Sequence, residues 1–170
     1  NNIDSIEVIE GPYDVENFGT LSGSVKIITK EPSKDFKGEA SLNVGSWNYR
    51  KAAATVSGGN DDVRYLISMS RETSDQYEDG DGNTFSEQII DFGAAMGDQF
   101  QPVYADMKAY EKTTFLGKIY ADIADNQQLK FSYTANRSDD VLYPSSKMDA
   151  LYDDSDIASL AYSMTGLGEY

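Results

Sequence analysis

The stretch "IDSIEVIEGPYDVENFGTLSGSVKIITKEP", Ile3 to Pro32, occurs once, and nothing later in the chain repeats its pattern. Two short runs of strand-forming residues, Ile3 to Ile9 and Val25 to Lys30, flank a segment spotted with glycine. Gly11-Pro12 ends the first run, because proline fixes φ and has no N–H to give to a ladder. Gly19 and Gly23 allow tight or left-handed backbone on the way to the second run. Both runs are short and mixed in polarity. They cannot form a core of their own, but they can join a small sheet held inside something larger.

The rest of the chain reads as strands with period-two alternation. Phe36, Gly38, Ala40, Leu42 and Val44 alternate with Lys37, Glu39, Ser41 and Asn43. Val63, Tyr65, Ile67 and Met69 alternate with Arg64, Leu66, Ser68 and Ser70. Phe115, Gly117, Ile119, Ala121 and Ile123 alternate with Leu116, Lys118, Tyr120 and Asp122. Leu129 to Asn136 and Ala158 to Met164 follow the same rule. Tyr49 to Ser57 is a weaker run whose Ala-rich centre leaves its facing open.

Alternation alone fits a soluble antiparallel sheet with one wet face as well as a transmembrane barrel with a lipid face and a polar lumen. The connections favour the barrel. They read as short at Ser46 to Asn48, Gly58 to Asp62 and Ala124 to Gln128, and long at Glu72 to Lys112 and Arg137 to Asp156. Outer-membrane barrels alternate tight turns with long external loops, whereas a compact soluble domain rarely carries a loop as long as the first of these. The 12 tyrosines, several near strand ends, suit an interfacial aromatic girdle.

Composition narrows the function. The 170 residues hold 29 Asp and Glu against 14 Lys and Arg, a net charge of -15, which argues against nucleic acid as a partner. There is no Cys, hence no disulfide and no thiolate chemistry, and no His, the commonest general base and transition-metal ligand. Only paired carboxylates remain for acid–base work, and they sit in loops with no apolar pocket around them, so an enzyme is not expected.

The opening stretch resembles the end of the plug domain of TonB-dependent outer-membrane receptors. Ile6, Glu7, Val8 and Ile9 match the first plug strand, followed by Gly11 and Pro12. Phe18 and Gly19 match an aromatic–Gly pair, and Ser22 and Gly23 stand where the family usually has Gly-Gly. Val25, Ile27, Ile28, Thr29 and Lys30 match the strand that leads into the barrel. Glu10 replaces a commonly basic residue, and Tyr13 to Asn17 is more acidic than usual.

The resemblance implies an all-β fold: part of a transmembrane antiparallel barrel of about 22 strands around an internal plug. Residues 1–31 would be the C-terminal part of the plug, and residues 32–170 roughly the first six wall strands with external loops. Six strands cannot close a barrel, and an open edge is not tolerated in hydrocarbon, so the chain reads as a piece of a larger receptor. The implied function is active uptake of a scarce small-molecule ligand, such as a ferric siderophore or metal chelate. TonB would act through plug residues ahead of Asn1, and the location would be the bacterial outer membrane, with its lipid as a further partner. A non-transporting barrel with an adhesive or structural role is the alternative.

Two loops carry candidate metal ligands. In "DQYEDGDGNTFSE", Asp75 to Glu87, the residues Asp79, Asp81 and Asn83 have the i, i+2, i+4 spacing with which calcium loops begin, and Glu87 can complete the set. Thr84 and Ile90 depart from that pattern. Ca²⁺ is the one cofactor this suggests. In "VLYPSSKMDALYDD", Val141 to Asp154, Met148 beside Asp149 resembles the Met-Asp loop of copper-type TonB-dependent receptors, where a thioether can hold Cu(I).

Overall fold

A computed structural model describes residues 3–11, 23–84, 86–88, 107–142 and 149–166. They form two antiparallel sheets. The first holds β1 (Ile3–Glu10) and β2 (Gly23–Thr29). The second runs in simple meander order through β3 (Lys37–Val44), β4 (Arg50–Gly59), β5 (Val63–Ser74), β6 (Tyr110–Ala124), β7 (Gln127–Val141) and β8 (Ala150–Met164). β2 pairs with β1, Val25 opposite Val8 and Ile27 opposite Ile6, and does not join the large sheet.

The register sorts each wall residue to a face. One face carries the rows Ala40–Ala54–Met69–Phe115–Ala135, Gly38–Val56–Ile67–Gly117–Tyr133–Ala158 and Tyr65–Ile119–Phe131–Leu160. The other carries Glu39–Thr55–Ser68–Leu116–Thr134 and Lys37–Ser57–Leu66–Lys118–Ser132–Ser159. This fixes the facing of β4, which the Ala-rich sequence leaves open: Ala52, Ala54 and Val56 share the apolar face, and Lys51, Thr55 and Ser57 the polar one. The large apolar side chains of that face lie exposed, Leu42, Ile67, Met69, Ile119 and Leu160 among them. Among the described residues no protein layer covers them, as a soluble sandwich would require.

The upper border of the apolar face is slanted. Its first polar residues are Arg50 on β4, Arg71 on β5, Thr113 on β6, Arg137 on β7 and Asp156 on β8. Arg50 lies in register with Tyr152 on β8, so from Arg50 to Asp156 the border drops four residues across four strand spacings. At roughly 4.8 Å between strands and roughly 3.4 Å per residue, that is a slope of about 35°. Strands of outer-membrane barrels tilt by that much, so a border oblique to the strands lies level in the membrane plane.

Four expected boundaries are corrected. The long connections are shorter than Glu72 to Lys112 and Arg137 to Asp156, because β5 runs to Ser74, β6 starts at Tyr110, β7 runs to Val141 and β8 starts at Ala150. Asp153, Asp154 and Asp156 therefore belong to a strand and not to a loop. Above the apolar border both faces of a strand meet water, so the pattern that marks a strand fades while the ladder continues.

Candidate functional site

The polar face of the wall receives the chain that leaves β2. Lys118, on β6, projects onto this face by the β5–β6–β7 register and is 6% exposed. Its Nζ donates to the backbone carbonyl of Lys30 at 2.8 Å and of Thr29 at 3.4 Å, with the Glu31 carboxylate at 3.7 Å. Tyr120, one step along the same face, lies beside the Glu31 carboxylate. Lys30 in turn reaches Glu39 on β3 at 2.8 Å. The Ser33 N–H donates to Ser57 Oγ on β4 at 2.8 Å, and Lys34 pairs with Asp61 in the β4–β5 turn. Pro32 is buried between these contacts.

Leu66, Leu116 and Tyr120 are buried apolar side chains on this otherwise polar face, and Leu66 lines one cleft with Lys30, Glu31 and Ser33. The sequence carried their signal, since all three stand out of phase with the lipid-facing set. An apolar residue on the lumen phase marks where another layer sits. Further along the same face, Arg64 pairs with Asp122 at 2.6 Å, Gln128 donates to Asp122 at 2.5 Å, and the Lys130 ammonium lies 4.8 Å from the centre of the Tyr120 ring. Lumen-side charges are thus paired within the wall, as polar groups in a narrow aqueous space should be.

The opposite end of the wall carries the connections β3–β4, β5–β6 and β7–β8. The first is a turn with Ser46 C=O accepting from Tyr49 N–H at 3.1 Å, and Trp47 and Asn48 both left-handed at φ 53° and 54°. That is a type I′ geometry, which suits the twist of a two-stranded ribbon but usually takes Asn and Gly. Trp47 meets Tyr77 edge to face at 4.8 Å. The Trp47 carbonyl accepts from Asp75 N–H at 2.9 Å, and Asn48 Nδ2 donates to Asp75 at 3.1 Å. Ser46, Trp47, Asn48, Asp75, Gln76, Glu78 and Asp79 enclose an open cleft of about 580 Å³.

The expected calcium ligands lie beside this cleft, but the Asp79 and Glu87 carboxylates are taken up locally, and Asp81 takes part through its backbone N–H. Asp79 Oδ1 accepts from the N–H groups of Asp81 and Asn83 at 2.9 Å, and Oδ2 from Gln88 Nε2 at 3.0 Å. Those backbone N–H groups hold the Asp79 carboxyl below the usual carboxylate range. Glu87 accepts from Thr84 N–H at 2.7 Å and from Thr84 Oγ1 at 3.0 Å, while Thr84 Oγ1 accepts from Glu87 N–H. This reciprocal capping box opens the helical turn at Ser86–Gln88. Asp79 and Asn83 are brought together. Glu87 is turned to Thr84, and no group of three or more carboxylates arranged for a metal occurs among the described residues. Met148 lies outside the described residues, and Asp149 is described just ahead of β8.

No protein-family model matches the chain. Over 56 residues it is 39% identical to the Ferric-pyoverdine 358 receptor of Pseudomonas putida, a match spanning 32% of this chain and 7% of that receptor. The fold matches Copper transporter OprC with a TM-score of 0.73 over 99% of this chain, at 18% identity. The chain resembles a segment of a TonB-dependent outer-membrane receptor. It spans 23% of the OprC chain, so it corresponds to a small part of such proteins. The fold is that of an outer-membrane β-barrel segment, and both similar proteins are named for reception or transport, not for catalysis.

Proposed function

We propose that residues 1–31 are the last part of a plug and residues 32–170 the first six strands of the wall of a TonB-dependent receptor. The whole receptor takes up a scarce ligand across the outer membrane, a ferric siderophore or related metal chelate being the first candidate. The observation that carries this reading is the separate β1–β2 hairpin, whose exit is bonded to the polar face of a wall with an apolar opposite face. A wall strand would be paired into the large sheet, and an adhesin barrel needs no internal hairpin. The local 39% identity to a ferric-pyoverdine receptor supports an iron chelate as the ligand class. The likeness to a copper transporter, at 18% identity, supports the fold alone.

The test is uptake by cells expressing the full-length parent protein, compared with a strain lacking its gene. Iron-55 would be supplied on pyoverdine, catecholate and hydroxamate chelators, each with and without TonB. Uptake of at least one chelate that needs both the gene and TonB is the expected result. Uptake of every chelate unchanged by the deletion, with loss of surface adherence instead, would overturn the reading in favour of an adhesive barrel.

A further inference from the structure

We infer that Lys118 is the positioning residue that fixes the plug exit to the wall, making Thr29 to Ser33 a stationary anchor. Displacement of the plug hairpin then stops at Thr29 instead of running on into β3. The motion rests on the plug reading proposed above, whereas the anchor rests on geometry alone.

The two sides of Thr29 are held differently. Upstream, β1 and β2 form a two-stranded sheet, a unit that is marginal by itself in water. Ile6, Val8, Val25 and Ile27 share one face of it and are exposed. Downstream, three wall strands converge on a few residues: β3 through Glu39, β4 through Ser57, and β6 through Lys118 and Tyr120.

Lys118 differs from the rest because its ammonium is buried. It has three donors and no acceptor, and the carbonyls of Thr29 and Lys30 with the Glu31 carboxylate serve them. Withdrawing the exit segment would strand a buried charge, whereas separating β1 from β2 only exchanges hydrogen bonds with water. The partners are largely backbone carbonyls, so the grip does not depend on which side chains the plug presents at 29 and 30. Of its neighbours on that face, Leu66 and Leu116 offer no polar group and Ser132 and Tyr120 carry only neutral hydroxyls, so the long cation on β6 supplies a charge that they cannot.

The test uses the full-length receptor in detergent on a cysteine-free background, the described chain having no cysteine of its own. Ile28→Cys, at a half-buried position of β2, reports the hairpin and Ser33→Cys the anchor, each by thiol labelling across a urea series. At the urea concentration where the thiol at position 28 is fully reactive, the thiol at position 33 should label about tenfold more slowly, the size of effect expected for a charged hydrogen bond. Lys118→Met should abolish that difference, Lys118→Arg should retain it, and Tyr120→Phe should narrow it. Folding of each variant is checked by heat-modifiable migration, and Tyr120→Phe serves if Lys118→Met does not fold. Equal urea dependence of labelling at positions 28 and 33 with Lys118 intact would overturn the inference. So would an undiminished gap in folded Lys118→Met or, where that variant does not fold, in Tyr120→Phe. No ligand or TonB takes part, so failure here and failure of the transport reading are separate results.

Discussion

Lys51 and Glu72 stand directly opposite each other in the β4–β5 ladder, and their charged ends meet at 2.8 Å. The hydroxyls of Tyr49 and Tyr110 donate to the same carboxylate at 3.3 and 3.1 Å. The cluster lies on the lumen face near the outer end of the wall and ties three strands together. Glu72→Ala leaves a half-buried ammonium and two hydroxyls without their acceptor. A loss of about 1–3 kcal/mol is expected, read as a lower urea midpoint for the folded full-length barrel. Glu72→Gln, which keeps an acceptor, should recover part of it; an unchanged midpoint for Glu72→Ala would show that water replaces the carboxylate at no cost.

The facing assignment makes the second prediction. Ile67 sits in the middle of the apolar face, with Val56 and Gly117 beside it, and Thr134 faces the other way between Leu116 and Ile157. Ile67→Lys should destabilise the barrel in bilayers by about 2–4 kcal/mol, the cost of a cation at mid-membrane. Thr134→Lys should fall within about 0.5 kcal/mol of the parent. Equal costs would mean that the two faces see the same medium.

Gly59 makes the third. It ends β4 at φ 156°, and a Cβ there would lie 2.2 Å from the Val63 carbonyl oxygen. Asn60 N–H donates to that carbonyl at 2.8 Å, and Asn60 Oδ1 accepts from Asp62 and Val63, closing the turn. Gly59→Ala must push backbone against backbone, at about 1–3 kcal/mol. The yield of heat-modifiable barrel should fall accordingly, while Gly80→Ala, with open space around it, should leave the yield unchanged.

Much of this architecture is legible in the residues, and the parts that are not have physical reasons. Alternation places Phe115, Ile119, Phe131 and Lys118 on their correct sides because lipid and lumen select opposite polarities residue by residue. β4 is ambiguous because Ala52, Ala53 and Ala54 satisfy either medium, and only the pairing to Leu42 and Met69 decides. The outer ends of β7 and β8 are unreadable because Asp139, Asp153 and Asp154 stand above the lipid, where no face is selected. The acidic spacing of Asp79, Asp81 and Asn83 suggests a cation, yet the same spacing serves an aspartate that caps its own turn. Sequence spacing cannot separate the two, because both need oxygen atoms aimed at one point.

That turn makes the last prediction. The Glu78–Thr84 bridge, with Asp79 N–H on the Asn83 carbonyl at 2.9 Å, closes a small hairpin around the Asp79 carboxylate. Gly82 sits inside it at φ 87°, where a side chain would be strained. Ionised Asp79 is the form that accepts the N–H groups, so its carboxyl titrates below the ordinary value of 3.8. The sign follows. The stabilisation is fully present above the unfolded carboxyl's range and is lost as pH falls through the lower, folded value. Protease resistance of the 75–88 segment in the full-length protein should therefore hold from neutral pH to below pH 4 and then collapse, assayed with an acid-active protease. Asp79→Ala should remove the resistance at every pH. If the carboxylate's partners are its own loop, resistance at neutral pH should be equal in calcium and in chelator. Resistance present in calcium and absent in chelator would instead make Asp79, Asp81, Asn83 and Glu87 ligands of a bound cation.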